Sequence, residues 1–267
     1  MVLESLFPEK KIKSKPIDML VLGFVIALVA VFASYFVFPK YAGIMAPLIT
    51  ALAMAPLIER LFEDEEDEID EVAEKRLIMG FFSRHRSIIL LFTLYFIGNF
   101  LAVFLLATIL PQSLLQSMFE PQLADINAVQ SMSAATGAAI RPDIAEIIVF
   151  NNLKVMAFAF LLSFLFGTGA TFILSWNASI LGIFLASYAR QGLYHSLLLT
   201  TTGMFPHAAV EIVAYFLAGI AGGILSVGMV REKFLSPEFR LMLKDSLFLL
   251  VLAVAFVLVG AYLEVGL

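Results

Sequence analysis

In 267 residues the chain is 61% hydrophobic and only 15% charged, with a mean hydropathy of +0.96; soluble domains keep roughly 25% charged residues. The net charge of −5 leaves no nucleic-acid footprint, so no nucleic-acid partner is expected, and the lack of cysteine excludes disulfides, thiolate metal sites and thiol catalysis. The apolar residues form continuous runs instead of alternating, which excludes membrane strands and predicts an all-α, polytopic transmembrane bundle of about seven helices.

Met1 to Pro16 is a basic N-terminus carrying Lys10, Lys11, Lys13 and Lys15, followed by an apolar run from Met19 to Phe38. A secretory signal has a shorter apolar core, about 7–15 residues, and a small-residue cleavage site, so this run reads as an uncleaved first membrane helix. Tyr41 to Ile58 is the second run, and Pro47 and Pro56 make a kinked or re-entrant course one alternative for it. The first two membrane helices thus fill residues 17–58. "ERLFEDEEDEIDEVAEKR", Glu59 to Arg76, requires water. It lacks the glycine and ligand spacing of a calcium loop and reads as a solvated linker or short helix. With "GFFSRHR" it makes a charged segment, 59–86, ahead of a membrane core at 87–267 that opens with a third run, Ser87 to Leu110.

Pro111 to Ala145, rich in Gln, Ser and Ala, reads as an external loop whose apolar residues would lay helices on the membrane surface. In "RPDIAE", Pro142 suits a first helical turn, and Asp143 and Glu146 favour the positive end of its dipole. Ile147 to Ser187 is too long for one helix and must fold back once, at Gly167-Thr168-Gly169 or at Ser175-Trp176-Asn177. The first choice buries Lys154; the second draws Arg190 towards the membrane. Pro206 to Val230 and Ser246 to the C-terminus complete the spans, and no internal repeat is present.

The basic residues orient this array. With a cytoplasmic N-terminus, the inside holds Lys10, Lys11, Lys13, Lys15, Arg60, Lys75, Arg76, Arg84, Arg86, Arg231, Lys233, Arg240 and Lys244, thirteen of the seventeen. Lys40, Arg141 and Arg190 fall outside and Lys154 at or in the membrane, the asymmetry expected of a multi-pass cell-membrane protein. A merely re-entrant second run would weaken it.

On a helix from Pro206 to Leu225, His207, Glu211, Ala214, Ala218 and Gly222 share one face. Ile212, Val213, Phe216, Leu217, Ile220 and Ile224 share the other and are expected to face lipid. The small face, with Gly219 and Gly223 at small-xxx-small spacing, is expected to meet another helix, and a homo-oligomer, most simply a homodimer, is expected through such faces. Pro206 is expected to end the preceding segment, with His207 near the outer surface and Glu211 a turn deeper. The His207–Glu211 pair has three readings: a tie between neighbouring helices, part of a metal site, or a polar site on a substrate, ion or proton path. Only His85 and His195 are available as further imidazoles, in no recognisable metal motif, so no metal is expected. A buried carboxylate must find a donor or a proton. The expected partner of Glu211 is the Asn151–Lys154 turn, with Lys154 as counter-ion and His207 as lid.

Two blocks of sequence carry a family resemblance: "IVFNNLKVMAFAFLLSFLFGTGATFILSWNASILG", Ile148 to Gly182, and "FPHAAVEIVAYFLAGIAGG", Phe205 to Gly223. They resemble the stage II sporulation protein M family in an Asn-Asn pair entering a helix (Asn151, Asn152), a Gly-x-Gly turn (Gly167, Gly169), an apolar stretch with Asn177, and Pro206-His207-x-x-x-Glu211 leading into an Ala/Gly-rich helix. Ala178 and Ala208 stand where that family commonly has glycine. The resemblance spans roughly the C-terminal half and implies a polytopic membrane protein with no known catalytic activity. In spore formers the namesake is a membrane scaffold that holds cell-wall hydrolases during engulfment.

The expectation is therefore a non-enzymatic membrane scaffold or assembly factor, without cofactor, set among membrane lipids and meeting protein partners on the external loop 111–145. The alternative is a transporter or channel-like carrier of a small solute, ion or lipid, with a polar intramembrane site of Asn151, Asn152, Lys154, Asn177, His207 and Glu211. An intramembrane hydrolase would need a nucleophile or metal constellation, and the sequence displays none.

Overall fold

A computed structural model describes residues 15–72, 79–136, 142–167, 169–234 and 236–266. The basic residues Lys10, Lys11, Lys13, Lys75, Arg76 and Arg141 lie outside the described residues, as do the side chains of Arg84 and His85. The described chain is all helix: α1 (Ile17–Val37), α2 (Ala42–Val72), α3 (Met79–Ile109), α4 (Gln112–Thr136), α5 (Pro142–Phe166), α6 (Gly169–Arg190), α7 (Tyr194–Arg231) and α8 (Pro237–Gly266). All but α4 contain a segment long and apolar enough to cross a membrane, so seven spans form a polytopic bundle.

The second run is one through-going helix. α2 carries Pro47 and Pro56 inside it and continues to Val72, taking the first part of the acidic segment with it. The fold-back lies at Gly167, whose φ of +69° gives the left-handed turn that ends α5. Ser163 Oγ then accepts the Ala170 backbone N–H at 2.7 Å, so the start of α6 is satisfied across the turn. Ser175, Trp176 and Asn177 are inside α6, which closes the other alternative. At the far end of α6, Gly192 has φ +70° and the Leu193 N–H returns to the Tyr188 carbonyl at 3.0 Å. There Arg190 Nη1 donates to the carbonyls of Ala107 and Leu110 at 2.9 and 2.6 Å, supplying cationic donors to the orphan carbonyls at the end of α3.

Two expectations need correction. Pro206 does not start a helix: α7 runs unbroken from Tyr194 with Pro206 inside it, and α8 likewise begins at Pro237, before Ser246. Second, the supposed lipid face of α7 is packed. Phe216, Leu217, Ile220 and Ile224 are as buried as Ala214, Ala218 and Gly222, and Phe216 lies beside Phe92 and Phe96 of α3. A helix apolar on every side belongs at the centre of a membrane bundle, and periodicity alone cannot tell core from lipid because both are apolar. The stretch 111–145 is mostly α4, a helix as its apolar spacing suggested, bent at Phe119 and Pro121. Its stripe of Leu115, Met118 and Phe119 joins Val31, Ala46, Ile183 and Ala186 in a second, smaller core. Gln122, fully buried, donates to the Gly43 carbonyl at 2.7 Å and to Ser179 Oγ at 3.2 Å.

Small residues set the closeness of this packing. A Cβ on Gly98 would collide with the Leu20 carbonyl oxygen and meet Phe24 N at 2.8 Å, so α3 and α1 touch backbone to backbone there. Gly203, in the projecting first half of α7, has nothing within 4 Å of such a Cβ. Gly98→Val should therefore destabilise the protein by about 1–3 kcal/mol. Gly203→Ala should be neutral or stabilise it by roughly 0.5–1 kcal/mol, since alanine is the better helix former. Thermal unfolding of both variants in detergent checks the pair.

Candidate functional site

The polar residues of α5 and α7 meet where the two helices run side by side in the same direction. Asn152 lies by Glu211, and further along the backbone of Phe160 and Phe164 lies against Gly222. α8 runs the opposite way against α7: Gly260 packs on Glu211, Ser246 Oγ donates to the Ala221 carbonyl at 2.9 Å, and Met242 packs on Gly228. Glu211 thus sits in a three-helix junction.

Within it the hydrogen bonds form a directed chain. Tyr215 Oη donates to Asn152 Oδ1 at 3.1 Å, and Asn152 Nδ2 donates to Glu211 Oε1 at 2.6 Å. The phenol thereby fixes the amide orientation and presents the NH₂ group to the carboxylate, the charge-assisted and stronger link. Asn152 is only 6% exposed and Tyr215 only 4%, so each would strand a polar group if its partner were lost. Gly260 makes room for the carboxylate, since a Cβ there would stand 2.7 Å from Glu211 Cγ. One turn beyond Gly260 on the same face of α8, Glu264 is a second acidic side chain close to Glu211. The span of α5 begins at Glu146. Asn152 is six residues along it, which places the junction roughly 9 Å below that end at 1.5 Å per residue.

The structure brings together only part of the expected set. Asn152 and Glu211 are in direct contact, and half-buried His207 stands one turn before Glu211. Its Nδ1 is enclosed without a hydrogen-bond partner among the described residues. Asn151 is exposed and reaches Asn152 only at 3.5 Å. Asn177 lies on α6 and donates back to its own helix, at the Ile173 carbonyl, 2.8 Å away. Lys154 is not the counter-ion of Glu211. It is exposed on the outer side of α5 with Nζ 4.3 Å from the centre of the Phe150 ring. The helix phase explains this, because positions two apart point about 200° apart, so a helix that turns Asn152 inward turns Lys154 outward. His195 and Pro206 are exposed on α7, and among the described residues no group of three or more His, Asp or Glu side chains could hold a metal ion.

Tyr215, Gly260 and Glu264 were missed by sequence reasoning. Tyr215 was legible: it follows Glu211 by four residues and extends the His207–Glu211 row. Glu264 and Gly260 lie on another helix and gave no local signal. A separate polar seam joins α3 to α6, where Tyr95 Oη and Ser175 Oγ are 2.6 Å apart. On α4, outside the spans, the Asp125 carboxyl is pushed up by burial, and a hydrogen bond with Trp176 opposes that.

The family model for stage II sporulation protein M matches residues 19–266, which extends the likeness from the C-terminal half to nearly the whole chain. No curated protein and no solved structure matches the chain.

The junction makes a quantitative prediction. Asn152→Ala and Glu211→Ala should each destabilise the fold, but their combination should cost less than the sum, with a coupling of about 0.5–2 kcal/mol. Lys154→Met combined with Glu211→Ala should be additive. Thermal unfolding of the two double-mutant cycles in detergent decides which residue is the partner of Glu211.

Proposed function

The chain belongs to the stage II sporulation protein M family and is a multi-pass membrane protein; from that premise we propose that it is a non-enzymatic scaffold of the cell membrane, with its N-terminus in the cytoplasm. The supporting observation is how its intramembrane polar groups are engaged. Tyr215–Asn152–Glu211, Tyr95–Ser175, Gln122–Gly43 and Arg190–Leu110 each link one helix to another. Such bonds hold a fixed arrangement, which is what a platform for other proteins requires. A carrier instead needs polar groups that exchange partners as it cycles.

The docking surface of this scaffold is α4. Gln112, Ser113, Gln116, Ser117 and Glu120 are exposed on the side opposite the Leu115–Met118–Gln122 stripe. The inward bias of basic residues puts this polar face outside the cell, where protein partners would meet it.

The carrier reading keeps one observation in its favour, the unpartnered Nδ1 of His207 beside Glu211. Proteoliposomes loaded with a pH-sensitive dye, under an imposed potential, separate the two readings. The scaffold predicts no proton flux above that of empty vesicles; a flux abolished by Glu211→Gln would reverse the ranking. The orientation is checked with single cysteines, which the native chain lacks. An impermeant maleimide added to intact cells should label Gln116→Cys and spare Lys233→Cys, and the opposite pattern overturns the topology.

A further inference from the structure

Seven spans share the bundle unequally. Over its most apolar stretch α5 is the least covered, with 22% of those residues buried, and the corresponding stretch of α8 follows with 33%, whereas that of α7 reaches 67%. The open side of α5 is not plain hydrocarbon. Along with Ile147, Phe150, Phe158, Leu161 and Leu165 it exposes Asn151 and Lys154. Lys154 is eight residues past Glu146, roughly 12 Å into the span by helical rise. A lysine facing lipid at such depth is unfavourable, and an asparagine beside it adds to that. On α8, Glu264 is also exposed, and what the fold places beside it is a like charge, Glu211. Among the described residues, a lysine without an acidic partner and an acidic side chain close to a second one thus occupy the two helices whose apolar stretches are least covered.

Their depths agree. Asn152 and Gly260 both touch Glu211 and so lie level. Lys154 is two residues farther along α5, roughly 3 Å deeper, and Glu264 is four residues farther along the oppositely directed α8, roughly 6 Å shallower. Helical side chains lean towards their own N-terminus, so Lys154 reaches up towards Phe150 while Glu264 is directed down, which brings the two charged groups nearer one level than their backbones. Copies inserted in the same orientation can be related by a two-fold axis only if it is parallel to the membrane normal. Such an axis preserves depth, so residues that pair across it must be level.

We propose that the α5–α8 side of the bundle is a homodimer interface in which Lys154 of each copy pairs with Glu264 of the other, with Asn151 bordering the pair. The small-residue route to self-association is closed, because Gly219 packs on Ala170 and Gly222 on the α5 backbone within the same chain. The inference goes beyond the scaffold reading and holds whether or not α4 binds another protein.

The experiment is a charge swap read as the dimer fraction, by light scattering in mild detergent and by single-molecule photobleaching in vesicles. The native chain should be dimeric. Lys154→Glu and Glu264→Lys should each be mainly monomeric, with the dimer weakened at least tenfold, and Lys154→Glu, which lies away from Glu211, should keep native thermal unfolding. The two single variants, tagged differently and co-expressed, should form a mixed dimer, since each of its two contacts then joins opposite charges. The double variant should again dimerise with itself. A monomeric native chain overturns the proposal, as does failure of the mixed pair to associate. Stabilisation of the native chain by anionic lipid that Lys154→Glu abolishes, with no effect of Glu264→Lys on the dimer, would assign Lys154 to a lipid phosphate and also overturn it. Failure of the dimer would leave the flux and labelling results on the scaffold untouched.

Discussion

Glu211 is a carboxylate placed among apolar helices, and most of the arrangement around it follows from the need to give that group a donor. Glu211 is partly buried, so a protein donor has to replace much of its contact with water. Asn152 provides it, and Tyr215 holds the amide the right way round. These bonds restrict how α5 and α7 can slide or rotate. One residue of slip moves a side chain 1.5 Å along the axis and 100° around it, enough to break both. The same register brings Gly222 against the backbone of Phe160 and lets Gly260 of α8 close over the carboxylate. Polar contacts therefore choose the register, and small residues make it sterically available.

Far from this junction the bundle repeats the device with other groups. Tyr95 and Ser175 bind α3 to α6, Arg190 covers the last carbonyls of α3, and Gln122 threads α4 between α2 and α6. Individually such bonds are modest, about 0.6 kcal/mol on average between membrane helices. Their value is directional. Apolar packing in lipid tolerates many rotations of a helix about its axis, whereas a buried amide or phenol tolerates few, because a misplaced one is left without a partner.

The sequence showed the spans well, because a run of eighteen or more apolar residues has few other fates. It showed the family through the order of Asn152, Gly167 and Glu211, all three of which turned out to fix helix positions. It did not show which face of α7 met protein, since Phe216 and Ile220 look the same whether they touch lipid or Phe92. The assignment of Lys154 to Glu211 failed for a reason available in advance. Elimination selected the nearest cation, but helical phase had already placed Lys154 and Asn152 on opposite sides. Pro206 misled in another way. A proline removes one backbone bond, and α7 continues through it, as membrane helices can when local groups make up the loss.

What the interior consumes also bears on what the exterior can do. The glycines that ordinarily let membrane helices associate, Gly98, Gly182, Gly219 and Gly222, are all engaged inside one chain. Contacts with other molecules must then rely on the features left at the surface: the polar side of α4 at one end of the bundle, and the exposed Lys154 and Glu264 on the least covered spans. These two surfaces differ in the solvent they answer to. On α4, water competes for every hydrogen bond, so attachment there is reversible and set by shape and charge. Within the spans water does not compete, and a single matched charge pair can decide whether two copies stay together.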